Sequence, residues 1–198
     1  MKIEKVIKEL RKNHLDSSVE HGAHVEWDWK SIKDPQERQV AKEIYDKIVA
    51  VFNDGGVNKA LVASLTNLSI SLVWTVTAYQ GTLIGATAQS IYDGLTNTNA
   101  IIAQTGAAAT TAYAAGRARL FADGGFSDWY LPSSGEIMLI YTNLHSHGLG
   151  DFAGASLASS TQSTNGDIKM IQYVSFSSGT IANQGKYNLV DYRAIRNF

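Results

Sequence analysis

Residues 124–133 read GGFSDWYLPS, and this is the most informative segment of the sequence. It follows an Ala-rich segment and precedes an amphipathic one at 136–144. Pro132, one of only two prolines in the chain, restricts the backbone beside the large side chains of Trp129 and Tyr130. The stretch therefore predicts a rigid corner between two packed elements.

Composition excludes several classes of function. The chain has 198 residues, of which 44% are hydrophobic, and this predicts a globular protein of one or two domains. A net charge of -1 gives no general attraction to nucleic acid or to an anionic membrane. The absence of cysteine excludes disulfides and thiolate chemistry. The charged N-terminus lacks the apolar run of a signal peptide, so we expect synthesis in a cytoplasm and no membrane insertion.

Charge divides the chain into two parts. Residues 1–60 contain 11 of the 17 Lys and Arg residues and 11 of the 18 Asp and Glu residues. The remainder is rich in Gly, Ala, Ser, Thr and Asn. This contrast predicts two structural units that join near residues 55–70, and we assign residues 1–60 to a helical anchor or oligomerisation region and residues 61–72 to a junction before the second unit.

Two short helices are predicted in the first part. One apolar stripe follows helical spacing at Ile3, Val6, Ile7 and Leu10. A second helix begins at 34–37, DPQE, where Asp34 is a capping residue and Pro35 suits the first helical position. Its apolar face is expected to continue to Phe52, and the NDGG sequence at 53–56 is expected to end it. Helices this short bury little apolar surface alone, so we expect them to pack on another copy of the chain, on the second unit or on a larger assembly.

The second part predicts an α+β unit. Helices are expected at 105–120, which is Ala-rich, and at 136–144, with Ser133 or Ser134 as the cap. Strands are expected at 70–77, 168–175 and 189–195, where β-branched or alternating residues occur.

The second part also resembles a known family. The matching stretches, in chain order, are NTNAI at 97–101, GFSDWYLPS at 125–133 followed by Glu136, SST at 159–161, VSFSSG at 174–179 and YRAIRNF at 192–198. Together they resemble the C-type-lectin-like domain at the C-terminus of Legionella collagen-like proteins, which also occurs in many bacterial and phage proteins. The resemblance covers about residues 73–198 and implies a C-type-lectin-like fold of two helices plus antiparallel strands.

The resemblance implies structural roles for the motif residues, which are Asp128, Trp129, Tyr130, Pro132, Glu136 and Arg193. From the residues themselves we expect Arg193 to form an ion pair with Asp128, Glu136 or Asp191. The family usually has an aromatic pair before the SST stretch, whereas this chain has Leu157 and Ala158. The related formylglycine-generating enzymes need cysteines, so that activity is excluded here.

No catalytic or metal-binding signature is present. We predict no metal site and no cofactor, because the paired histidines at 145 and 147 and at 21 and 24 lie in different parts of the chain and are expected to be exposed. The NGD sequence at 165–167 predicts a turn, with a calcium site as the alternative. An enzyme using Asp128, Asp151 or Asp167 in a cleft is an alternative that the sequence leaves open.

Binding is the favoured function. The loops at 143–167 and 177–188 are rich in Ser, Thr, Asn, Gln and Gly, and Tyr173, Asn183, Tyr187 and Asn188 are the candidate ligand-binding residues. We expect a non-enzymatic recognition or decoration protein of a phage virion, made in the host cytoplasm, that binds a cell-surface glycan or protein. Residues 1–60 are expected to form a homo-oligomer, such as a trimer, or to bind other virion proteins. A structural virion subunit and a bacterial surface adhesin are the alternatives.

Overall fold

A computed structural model describes residues 29–45, 48–54, 57–64, 66–68, 72–84, 93–106, 111–123, 125–152, 155–163 and 167–197. The helices are α1 (Pro35–Tyr45), α2 (Gly94–Thr105), α3 (Ala114–Leu120) and α4 (Ser134–Asn143). The strands are β1 (Ile48–Asp54), β2 (Val57–Ala63), β3 (Leu72–Val73), β4 (Ser156–Gln162), β5 (Met170–Ser175), β6 (Thr180–Gly185), β7 (Leu189–Val190) and β8 (Ile195–Asn197). Single 3-10 turns lie at Trp29–Ser31, Thr77–Tyr79 and His145–His147.

The described strands form three antiparallel sheets, in the orders β1-β2-β8, β3-β7 and β4-β5-β6. The mixed α+β class is therefore confirmed. The first sheet joins distant parts of the chain, because Leu61 of β2 pairs with Asn197 of β8 and Ala63 pairs with Ile195.

The second predicted helix ends earlier than expected. Asp34 caps α1 as predicted, since its Oδ1 accepts hydrogen bonds from the amides of Gln36 at 2.7 Å and Glu37 at 3.0 Å. The prediction that the helix continues to Phe52 is wrong, because residues 48–54 are strand β1 and pair with β2. Strand pairing overrides the helical spacing of β-branched residues that also suit a sheet. The expected helix stop at 53–56 is instead where β1 ends and β2 begins.

The sheet crosses the predicted domain boundaries. Residue 60 lies inside β2, and β2 pairs with the C-terminal strand β8. The predicted boundary at residue 60 therefore falls inside a strand of the sheet that also contains the C-terminal strand β8. The predicted first helix and the histidine pair at 21 and 24 lie outside the described residues.

The remaining helix and strand predictions hold in part. The helix expected at 136–144 is confirmed as α4, and Ser133 is its cap. The helix expected at 105–120 is wrong in extent, because α2 ends at Thr105 and α3 begins at Ala114. The strand expected at 168–175 is present as β5. Of the strand expected at 70–77, the described residues show only the two-residue strand β3. The segment 189–195 supplies β7 and the first residue of β8.

Two hydrophobic clusters form the core, and β4 and β5 contribute to both. Ala158 and Ile171 belong to the cluster that contains Trp74, Tyr113 and Tyr192. Leu157 and Val174 belong to the other cluster, with Ile137, Phe152 and Phe176. Leu157 and Ala158 are thus core residues of this chain.

In the described part of the chain, no helix combines the length and the apolar character needed to cross a membrane.

Candidate functional site

The corner at 128–133 is tied to several elements. Tyr130 and Ile195 exchange backbone hydrogen bonds of 2.8 and 3.0 Å. The carbonyl of Pro132 accepts from the amide of Ser160 in β4 at 2.6 Å. Thr98 of α2 donates its hydroxyl to the carbonyl of Leu131 at 3.0 Å and accepts from the amide of Leu131 at 3.1 Å. The corner therefore fixes α2, β4 and β8 relative to one another.

Trp129 and Tyr130 point into different clusters of the core. Trp129 belongs to the Trp74 cluster and meets Phe121 edge to face, with ring centroids 5.0 Å apart. Tyr130 belongs to the Phe176 cluster and donates its hydroxyl to Glu136 Oε1 at 3.0 Å. Both aromatic residues of the motif are buried, so they supply packing surface and not a ligand platform.

Glu136 has a buried carboxyl group at the start of α4. Its Oε2 accepts from the amide of Ser133 at 2.7 Å, and Ser133 Oγ accepts from the amide of Glu136 at 3.2 Å, which completes a capping box. Burial raises the pKa of Glu136 to about 8 and outweighs the hydrogen bonds from Ser133 and Tyr130, which lower it. The charge of Asp93 adds a smaller increase. Burial, and then the charge of Glu136, raise the pKa of Tyr130 well above its usual value.

We expect stability to fall between about pH 5 and pH 8 because of Glu136. Its pKa is about 8 in the folded protein and near 4.5 without burial, so between these values the folded protein holds a proton that the unfolded chain has lost. The stabilisation from Glu136 is complete below its unfolded-state pKa and disappears as the pH rises through its folded-state pKa. We expect a loss of about 3 to 4 kcal/mol in the free energy of unfolding between pH 5 and pH 8, measured by urea titration.

Glu136→Gln is the matched control for this pH dependence, because Gln keeps the size of the side chain and does not titrate. Its unfolding free energy should be nearly constant over the same range. Lys186 acts in a higher window, because burial lowers its pKa to about 8 and its contribution increases only above that pH. A wild-type protein with no decline would mean that the N-terminus of α4 stabilises ionised Glu136 enough to offset burial.

The predicted partner of Arg193 is wrong. Its Nε donates to Asn67 Oδ1 at 2.7 Å, and its two terminal nitrogens donate to the carbonyls of Ser64 and Asp151, both at 3.0 Å. The guanidinium carbon lies 3.8 Å from the ring centroid of Phe152. Burial lowers the pKa of Arg193 to about 10, so the side chain remains a cation at neutral pH.

Asp128 pairs with Arg196 instead. The guanidinium donates from Nε to Oδ1 at 2.6 Å and from Nη2 to Oδ2 at 2.9 Å, and it lies 3.8 Å from the ring centroid of Phe126. The hydrogen bonds from Arg196 hold the pKa of Asp128 below its usual value. Because Asp128 is exposed, the pair contributes little to stability, but it occupies both carboxylate oxygens.

The histidines at 145 and 147 differ in environment. His147 is exposed as predicted, whereas His145 is half-buried, with its ring centroid 5.2 Å from that of Phe176 and 5.3 Å from that of Tyr141. The prediction that both are exposed is therefore wrong for His145. Among the described residues, no group of three or more His, Asp or Glu side chains is placed to hold a metal ion.

The candidate ligand-binding residues lie on or beside β5 and β6, but not on one face. Asn183 pairs with Gln172, and Tyr173 pairs with Ala182, so Tyr173 and Asn183 point to opposite faces of the sheet. A Cβ added to Gly185 would lie 2.4 Å from Tyr187 Cε1, so the Tyr187 ring covers the face to which Asn183 points. We call this surface the β5–β6 face and define it by Gln172, Ile181, Asn183 and the Tyr187 ring.

The β5–β6 face is exposed at Ile181, Asn183 and Tyr187, whereas Gln172 is half-buried. The exposed fraction is 63% for Tyr187 and 46% for Ile181, and Asn183 is exposed as well. Asn188 is also exposed, and its amide donates to the carbonyl of Gly185 at 3.0 Å in the same turn as Tyr187. Three of the four predicted ligand-binding residues therefore lie within six positions of the chain, and Tyr173 lies apart from them.

Lys186 anchors the turn that carries Tyr187. The side chain is buried, and its Nζ donates to the carbonyl of Thr82 at 2.7 Å and to Gln162 Oε1 at 2.8 Å. The ammonium also lies 5.2 Å from the ring centroid of Trp74. Its backbone amide donates to the carbonyl of Lys169 at 2.8 Å. The sequence analysis did not predict that Lys186 anchors this turn. The only local signal for it was the position of Lys186 between Gly185 and Tyr187.

The three aspartates of the enzyme alternative lie in different environments. Asp128 is bound by Arg196, the backbone of Asp151 contacts Arg193, and Asp167 Oδ1 accepts from the amide of Lys169 at 2.9 Å.

No family model matches the chain, and no significant match is found among curated proteins.

Proposed function

We propose that the protein is a non-enzymatic recognition module whose β5–β6 face binds a polar surface ligand, with a glycan as the first candidate. The observation that carries this proposal is the exposed Tyr187 ring held against Gly185, beside the amide side chain of Asn183. An aromatic ring supplies a rigid, flat contact area, and amide side chains supply adaptable donors and acceptors. The anchored backbone at Lys186 lowers the entropy lost when a ligand orders this turn.

The setting that we propose is a phage virion, in which residues 1–60 oligomerise or bind other virion proteins. The resemblance to a domain found in bacterial and phage proteins supports this setting, as does the high charge density of residues 1–60. Several copies on one particle would turn weak single-site binding into high avidity. The mass of the full chain in solution tests the oligomer, since a strict monomer at all concentrations contradicts it.

The binding proposal predicts that Tyr187→Ala weakens glycan or cell binding by about tenfold, because an exposed aromatic anchor is lost. Tyr187→Phe should retain most of the affinity, since the ring remains. Gly185→Ala should also weaken binding, because its methyl group displaces the ring. Glycan arrays and whole-cell binding with the full chain measure these effects.

Leu83→Ala is the matched control, because it shortens another exposed apolar side chain, outside β5 and β6. It should leave glycan and cell binding unchanged. Equal binding by wild type and Tyr187→Ala would exclude the β5–β6 face as the binding surface.

A structural subunit is the second candidate. The observation that favours it is a set of exposed large apolar side chains, namely Leu83, Leu120, Ile168, Ile181, Tyr187 and Leu189. Such residues contribute to contacts when they cluster on a surface that meets a neighbouring protein. A chain that binds no glycan or cell but is protected at Ile181 and Leu189 inside its assembly would support this candidate over recognition.

A further inference from the structure

A cleft on a different part of the molecule has the composition of a small-ligand site. It has a volume of about 460 Å³ and is lined by Asn67, Leu68, Arg117, Leu120, Phe121 and Tyr192, among others. A volume of this size lies in the range of small-molecule sites. None of its described lining residues is acidic. We name it the Arg117 cleft.

The walls of the Arg117 cleft are fixed by internal contacts. The amide of Leu68 donates to the carbonyl of Tyr192 at 2.8 Å, which holds the segment 66–68 beside Tyr192. Phe121, another lining residue, packs edge to face on Trp129. Helix α3 itself is secured by buried alanines at 114, 115 and 118. The cleft is therefore formed before any ligand arrives.

The polar side chains of the cleft can donate hydrogen bonds to a ligand. The Oδ1 atom of Asn67 is occupied by Arg193 Nε at 2.7 Å, so the Nδ2 group is what this amide can offer a ligand. Burial raises the pKa of the Tyr192 phenol, and Arg117, which lies near the phenol, lowers this pKa by a smaller amount. The phenol therefore keeps its proton at neutral pH and can donate it to a ligand.

These donors favour a carboxylate. Arg117 supplies a positive charge and a planar fork of N–H groups, which match the two oxygens of a carboxylate. Leu68, Leu120 and Phe121 supply an apolar wall for the rest of the ligand. The C-terminus of α3 also lies here and disfavours an anion, but a seven-residue helix has a smaller effect than a charge-assisted hydrogen bond.

We infer that the Arg117 cleft binds a small organic carboxylate whose body packs on the apolar wall. Arg117 and Asn67 bind the carboxylate, and buried Arg193 is a positioning residue that acts through Asn67. This site is separate from the β5–β6 face and does not depend on the function proposed for that face.

Titration of the full-length, nitrogen-15-labelled protein tests the inference. Two pairs of probes are used, phenylacetate with phenylacetamide and glucuronate with glucose, so that the acid is compared with a neutral analogue in each. We expect at least one acid to shift the amide signals of Leu68 and Phe121 saturably at concentrations up to about 10 mM, and its neutral analogue to bind at least about tenfold more weakly. The tighter acid identifies the source, an aromatic acid or a sugar acid.

Asn67→Asp is the decisive variant, because the aspartate keeps an acceptor for Arg193 while it removes the Nδ2 donor and repels an anion. It should fold normally and bind the acid at least about tenfold more weakly. Arg117→Gln should have the same effect, and Lys169→Gln, an exposed lysine beside β5, should have none. If Arg117→Gln fails to fold, the affinity of Asn67→Asp for the acid alone tests the inference.

Three results would overturn the inference. They are the absence of saturable shifts with both acids, equal binding of an acid and its neutral analogue, and wild-type affinity in Asn67→Asp. Binding of the acid that persists in Tyr187→Ala would show that the two surfaces are independent, so failure of one proposal is distinguishable from failure of the other.

Discussion

Gly94→Ala is expected to destabilise the protein by about 3 kcal/mol or more, since both overpacking and disruption of a buried carboxylate contribute. A Cβ at this position would lie 2.0 Å from Glu136 Oε2 and 2.7 Å from the backbone nitrogen of Ser133. Neither atom can move at low cost, because the Glu136 carboxylate is held by Ser133 and Tyr130 and the Ser133 amide is part of the cap of α4. The methyl group would therefore separate α2 from α4 or displace Glu136 from its hydrogen bonds.

Chemical denaturation of Gly94→Ala beside Gly81→Ala measures this effect. No atom lies within 4 Å of a Cβ built on Gly81, so the same substitution there should change the unfolding free energy by less than about 0.5 kcal/mol. If the two variants were equally stable, the start of α2 would have to yield around the added methyl group, and the close packing on Glu136 would not be a determinant of the fold.

Arg193→Gln is the second substitution with a large expected effect, a loss of about 4 kcal/mol, because one residue satisfies three buried or half-buried acceptors. The guanidinium joins Asn67, the carbonyl of Ser64 and the carbonyl of Asp151, and it covers the Phe152 ring. The shorter glutamine cannot reach all three acceptors, and it removes the cation from the aromatic ring. Arg193→Lys keeps the charge but not the planar fork, so we expect an intermediate loss.

Arg119→Gln is the control for Arg193→Gln, since Arg119 donates a hydrogen bond to Asn99 at the surface. Its unfolding free energy should stay within about 0.5 kcal/mol of the wild-type value. Thermal and urea unfolding of the wild type and of Arg193→Gln, Arg193→Lys and Arg119→Gln measure these losses. The comparison of the two Arg193 variants separates the contribution of charge to the unfolding free energy from that of geometry. A loss in Arg193→Gln no larger than that in Arg119→Gln would contradict a central role for the buried guanidinium.

Local signals were sufficient for some of the fold. The cap of α4 was predictable because Ser133 and Glu136 are three residues apart and their exchange of hydrogen bonds needs no distant partner. The same holds for Asp34 at the start of α1. The segment at 48–54 was mispredicted because its β-branched residues suit both a helix face and a strand, and pairing with β2 and β8 decides between them.

Distant partners limited the prediction of the candidate sites. Arg193 and Asn67 are 126 positions apart in the sequence, so no local pattern connects them. For the β5–β6 face, the residue types of Asn183, Tyr187 and Asn188 drew attention to a segment that the structure shows to be exposed. Tyr173 was grouped with them because the alternation of faces becomes known only once the register with β6 is known.

The division of Trp129 and Tyr130 between the two core clusters has a consequence for how the molecule opens. Two neighbouring residues cannot leave their clusters separately, since one peptide bond joins them and Tyr130 is also paired with Ile195. Partial unfolding around either cluster must therefore strain the other cluster at the peptide bond between Trp129 and Tyr130. The two halves of the core thus form a single cooperative unit, and slow hydrogen exchange at Tyr130 and Ile195 would report the global unfolding reaction and not a local fluctuation.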